Sequence, residues 1–159
     1  MASNDLAGTL EGEVKLESKG DEFFHVIGGK AHRLPDLISH GIQSIGLHAG
    51  DWKTDGSIKN WTYFMDGKVE SFKEKLKVDE ETKTVTAEAI GGDVMKHYKK
   101  YIITIKVVPN EDGSKVAKYS IDYEKLNEND PTPTKYLEWI GQMIKDLDAS
   151  LAKPIFGIL

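Results

Sequence analysis

Residues 57–65 read Ser57-Ile58-Lys59-Asn60-Trp61-Thr62-Tyr63-Phe64-Met65. Side chains alternate across a β-strand, so Lys59, Trp61 and Tyr63 fall on one face of this segment. The same two-residue period puts Tyr101, Ile103, Ile105 and Val107 on one face of a later segment, and Ala117, Tyr119, Ile121 and Tyr123 on one face of another. Tyrosine and tryptophan carry an apolar body and a polar tip that needs a partner when buried. Two readings follow. Either these rings form an ordinary core whose polar tips bond to each other, the backbone or water, or they line a pocket for an amphipathic small molecule.

Outward from this stretch the chain alternates strands and turns. Strands are expected at Thr9–Glu17, Ile42–His48, Ser57–Met65, Val69–Val78, Thr82–Ile90, Tyr98–Val108 and Lys115–Tyr123. Asp66-Gly67, Asp79-Glu80-Glu81 and Pro109 to Gly113 are hairpin connections, and strands neighbouring in sequence favour an antiparallel sheet. Gly12 marks a bulge or bend in the first strand. Between the first two strands lie two short helical pieces. Asp21–Ile27 has an acidic first turn and is stopped by Gly28-Gly29; Leu34–His40 carries Pro35 near its start and Gly41 after its end.

Pro131-Thr132-Pro133-Thr134 introduces a helix from Lys135 to Ala152. Tyr136, Trp139, Ile140, Met143, Ile144, Leu147 and Leu151 form its apolar stripe, while Asp146 and Asp148 lie off the stripe and face solvent. A helix of this length spans roughly 27 Å, so a wide sheet must curl to bury the stripe. Small inward residues (Val85, Ala87 and Ala89 on the fifth strand, Gly141 on the helix) leave room between sheet and helix, unless neighbouring rings fill it. The tail Ile155–Leu159 packs on the body or frays.

Composition narrows the function. The chain has 159 residues, enough for a single domain spanning residues 1–159. No apolar run approaches a membrane span, and Met1 to Leu16 shows no secretory signal. The absence of cysteine excludes disulfides and thiol catalysis and fits a cytoplasmic setting. The net charge of −5 disfavours nucleic acid, and the lysines Lys68, Lys73, Lys75 and Lys77 read as a solvated face. The histidines His25, His32, His40, His48 and His97 are scattered, none at metal-ligand spacing, so no metal or cofactor is expected. Lys59, if inward, has a depressed pKa that suits a base or an imine-forming amine; alternatively its stem snorkels to the rim or it pairs with Glu70 or Glu74.

Five stretches together resemble the Bet v I superfamily of plant proteins, and within it the major latex protein branch. They are Lys30-Ala31-His32-Arg33-Leu34-Pro35; Gly50-Asp51-Trp52 with Gly56-Ser57-Ile58-Lys59; Trp61-Thr62-Tyr63; Gly92-Asp93-Val94-Met95-Lys96; and Tyr123 through Pro131. The resemblance implies an α+β helix-grip fold: a curved seven-stranded antiparallel sheet around a long C-terminal helix, with two short helices and an apolar cavity. It implies binding of a small hydrophobic or amphipathic plant metabolite, in defence or stress response. One alkaloid-forming branch, which includes norcoclaurine synthase, does catalysis in the cavity. The alternative is therefore an isomerase or condensing synthase using acid–base residues there. The synthase branch resembles this chain only loosely at its late-strand lysine: the nearest match, Lys118, has the parity of the solvent face. The Gly50–Gly56 loop also departs from the glycine-dense loop of the birch-allergen type, which argues against a phosphate-cradling role.

The expected ligand-binding residues are Lys59, Trp61, Tyr63, Phe72, Tyr101, Ile103, Tyr119, Ile121, Tyr136, Trp139, Ile140 and Met143. The expected state is a monomer or weak dimer.

Overall fold

The structure, a computed structural model, describes residues 6–38 and 41–153. Strands β1 (Ala7–Leu16), β2 (Ile42–Ala49), β3 (Ile58–Met65), β4 (Lys68–Asp79), β5 (Thr84–Gly92), β6 (Tyr98–Pro109) and β7 (Lys115–Lys125) form one curved sheet, ordered β1-β7-β6-β5-β4-β3-β2. Every pairing is antiparallel. Helix α1 (Gly20–Gly29) and a 3₁₀ turn (Ala31–Arg33) running into α2 (Leu34–Leu37) follow β1; α3 (Thr134–Ala152) closes the described chain. All seven expected strands form, with ends shifted by no more than about two residues; alternating burial fails in β2, which is mostly exposed and has two register irregularities.

Helix α3 lies on the inner face of the sheet and touches β1, β7, α1 and α2. Its stripe buries Tyr136, Ile140, Met143, Ile144 and Leu147. Removing each aliphatic member from water contributes about 1.5–3 kcal/mol before entropy is counted. The start of the helix is tied to the sheet through the preceding loop. Tyr98 donates its hydroxyl to the Pro131 carbonyl at 2.5 Å, and His97 Nδ1 lies 2.9 Å from Asp130 Oδ1.

Several local expectations change in three dimensions. Asp148 does not face solvent: it is 5% exposed and accepts hydrogen bonds from the Glu17 and Ser18 amides and the Ser18 hydroxyl. It therefore ties the last turns of α3 to the end of β1. Asp146 is half-buried. Gly12 makes no bulge, since the β1–β7 register runs unbroken through it. Instead a Cβ there would come within 2.5 Å of the Tyr119 ring, and one on Gly141 would strike the Tyr119 hydroxyl. The two glycines form a slot for that ring, so Gly141 leaves no empty space.

Gly28 and Gly29 lie within α1 and do not stop it. Gly28 packs α1 against Val78 and Val85, whose methyls would sit 3.4 Å from an added Cβ, an ordinary contact distance. Helix α2 is shorter than expected because Ile38 is already extended, at φ −115° and ψ 118°. The expected continuation through Ser39 and His40, and the tail Ile155–Leu159, lie outside the described residues.

Candidate functional site

Between sheet and α3 lies a cavity of about 80 Å³. Ligand pockets for drug-sized molecules run from about 300 to 1,000 Å³. A larger guest therefore requires the lining rings and the flexible Met143 to turn aside.

Most of the expected residues meet at this cavity. The sheet supplies Trp61, Tyr63, Phe72, Tyr101 and Ile103; α3 supplies Tyr136, Trp139, Ile140 and Met143. Alternation explains the strand residues and helical spacing the others. Tyr119 and Ile121 do not reach it. Tyr119 is held in its glycine slot, and Ile121 is fully buried in the core. Lys59 does not line it either, lying behind the wall at 1% exposure.

Glu74, Val85, Ala87 and Ile105 complete the sheet side, and Ile27 from α1 and Leu34 from α2 cover the remaining wall. The last two were missed. A signal existed in the apolar spacing of Phe23, Phe24 and Ile27, which marks a buried helix face without saying what it covers.

The polar groups fall into two sets. At one, Glu70 Oε1 accepts from the Tyr63 hydroxyl at 3.0 Å and from the Tyr136 hydroxyl at 2.8 Å. Burial raises both phenol pKa values, followed by the Glu70 charge for Tyr63 and the hydrogen bond to Glu70 for Tyr136, so both stay protonated donors. Tyr101 packs edge-on against Tyr136 and Phe72, and burial likewise holds its pKa well above the ordinary value. The Trp139 indole donates to the Phe64 carbonyl at 3.0 Å, with its ring 5.1 Å from that of Tyr63.

At the other set, Lys59 and Glu74 face each other across the β3–β4 ladder, both fully or almost fully buried. Burial pushes the Glu74 carboxyl up to about 7, against the opposing pull of the Lys59 charge. Burial also lowers the Lys59 pKa, opposed by Glu74 and then Asp51. The lysine does not snorkel: its ammonium sits 5.6 Å from the Trp52 ring centre. The Trp61 indole N–H is near enough to Glu74 to hold its pKa down somewhat, yet its geometry makes no hydrogen bond. Among the described residues it is the one buried side-chain polar atom without a partner.

Elsewhere the expected surface lysines stand mostly in solvent. Lys118, Lys68, Lys75 and Lys77 are exposed, and Lys73 is half-buried. In the loop after β2, Asp51 accepts from the Lys53 and Thr54 amides, so the loop's own carboxylate occupies donors that a phosphate would use. Among the described residues, no group of three or more His, Asp or Glu is placed to hold a metal ion. No helix there is long and apolar enough to cross a membrane.

A curved antiparallel sheet gripping a long C-terminal helix over an apolar cavity defines the helix-grip class. The sequence profile of the pathogenesis-related protein Bet v 1 family matches residues 5–154, and the chain belongs to that family. Its relatives include the MLP-like protein 34 of Arabidopsis thaliana, 39% identical over 145 residues, covering 90% of this chain and 46% of that one. The chain thus spans about half the length of that relative. Major latex protein 146 of Papaver somniferum is 36% identical over 148 residues, covering 92% of each chain. Among solved structures, the ginseng major latex-like protein 151 from Panax ginseng superposes with a TM-score of 0.89 at 32% identity, covering 93% of this chain and 99% of that one.

Proposed function

We propose that this chain binds a small hydrophobic or amphipathic plant metabolite between sheet and α3. The observation that carries the reading is the character of the cavity wall. It is mostly apolar and aromatic, and it includes a buried carboxyl and an indole N–H with no partner in the protein. A buried donor without a partner, on a residue that lines a cavity, is the arrangement expected where a guest completes the hydrogen bonding. The family's description as pathogenesis-related supports placing this binding in plant defence or stress response.

Native mass spectrometry of the chain, incubated with a lipophilic plant extract, tests the reading. A non-covalent adduct should appear on the wild type and be lost from Ala87→Phe, whose added ring fills the cavity from β5. An adduct undiminished in a folded Ala87→Phe would place binding elsewhere.

A second reading has its own support. A carboxyl whose pKa is about 7, in a cavity wall and opposite a buried lysine, is poised for general acid–base work on a bound substrate. On that reading Glu74→Gln abolishes turnover while binding is largely kept. A pure carrier converts nothing in the extract, with or without Glu74.

A further inference from the structure

Trp61 and Glu74 occupy the same stretch of wall. On the β3–β4 ladder Trp61 faces Phe72 and Lys59 faces Glu74, so indole and carboxyl are diagonal neighbours on the inner face. Both line the cavity. The indole can only donate; the Glu74 carboxyl is its near neighbour, but no acceptor meets it in hydrogen-bond geometry. The carboxyl is 4% exposed and has no hydrogen-bonding phenol of the kind that serves Glu70. The charged groups facing this stretch are Lys59 across the ladder and, beyond it, Asp51 in the loop after β2.

A guest that completes this site must accept from the indole and donate to the carboxyl. A single hydroxyl oxygen does both. A carboxylate or phosphate would meet the Glu74 charge. A protonated amine has no lone pair to offer the indole and would lie beside the Lys59 ammonium. The surrounding wall, with Phe72, Val85, Ala87 and Ile105, asks for an apolar remainder.

We infer that Trp61 and Glu74 form a hydroxyl-recognition subsite, and that the ligand is a neutral molecule with an apolar, ring-sized body carrying an alcohol or phenol. The inference rests on the reading of the cavity as a binding site. It adds which polar group is selected and where that group sits.

The test uses three single-ring probes of similar shape: p-cresol, toluene and 4-methylbenzylamine. Each is titrated into the full chain and followed by NMR shifts of the backbone amides and of the Trp61 indole N–H. p-Cresol is expected to bind about tenfold more tightly than toluene and to move the indole signal. In Trp61→Phe the preference should fall to near unity with toluene binding retained. Glu74→Gln, whose amide still accepts, should keep a smaller preference. Equal binding of p-cresol and toluene to the wild type overturns the inference and leaves a non-selective apolar cavity. Preference for the amine overturns it in favour of a cation site at Glu74. Failure of all three probes to perturb cavity residues overturns the binding reading itself.

Discussion

Two carboxylates on β4, Glu70 and Glu74, share a strand parity yet meet opposite surroundings. Glu70 receives two phenol hydroxyls, one from β3 and one from α3, and so joins helix to sheet. Glu74 is deeper, has a lysine across the ladder and an indole nearby that makes no hydrogen bond to it, and carries a pKa raised to about 7. The difference lies in the donors each finds: a carboxylate that is fully supplied holds the fold together, whereas one left short is a stored cost that a guest can relieve.

The largest expected effect tests the Glu70 side. Tyr136→Ala removes a buried ring and one of the two bonds to Glu70, and should cost about 3–5 kcal/mol in denaturant unfolding at neutral pH. A loss below about 1 kcal/mol would mean that α3 is held without this junction. The next effect tests the Glu74 side through pH. Its folded pKa lies above the usual glutamate range, so the penalty for burying a charge is absent while the group is protonated. Stability is then lost as pH rises from below about 5 through about 7. Glu74→Gln removes this dependence. Relative to wild type, the variant should gain about 2–3 kcal/mol between pH 5 and pH 8, read from unfolding curves at both. A constant difference across that range would show that Glu74 is not strained by burial.

Smaller changes sharpen the contrast. Glu70→Gln keeps an acceptor but loses the charge, and should cost about 1 kcal/mol in denaturant unfolding at neutral pH. Lys59→Met takes away the larger of the two influences that oppose burial at Glu74, leaving the Trp61 indole. The Glu74 carboxyl signal in carbon NMR should then titrate at higher pH than in the wild type; an unchanged or lower midpoint would separate the two residues electrically. Smallest of all, Lys118→Ala on the exposed face should alter stability by less than about 0.5 kcal/mol and leave probe binding untouched.

Much of this architecture was legible from the pattern of the chain. Alternation located the strands because one sheet face is buried along its length, and a register slip would expose every ring in a segment. The stripe on α3 was equally plain. Parity names a face, however, and not a depth. Tyr119 and Ile121 lie on the inner face yet outside the cavity: Tyr119 is seated between Gly12 and Gly141, and Ile121 is fully buried in the core. Asp148 seemed exposed by helical position, but its partners are amides about 130 residues away in sequence, which no local pattern contains. Ile27 and Leu34 were hidden for the same reason: their burial was readable, but not the space they enclose. The Glu74–Lys59 pairing was one of the open readings, since adjacent strands joined by Asp66-Gly67 set their register.

The ring of Tyr119, wedged between Gly12 of β1 and Gly141 of α3, acts as a spacer. It sets how high the helix rides above that part of the sheet, by the thickness of one aromatic ring. The interior volume is thus governed partly from outside its own wall. Substitutions at these three positions would raise, lower or tilt the helix, and so resize the chamber while every residue that touches a guest stays the same.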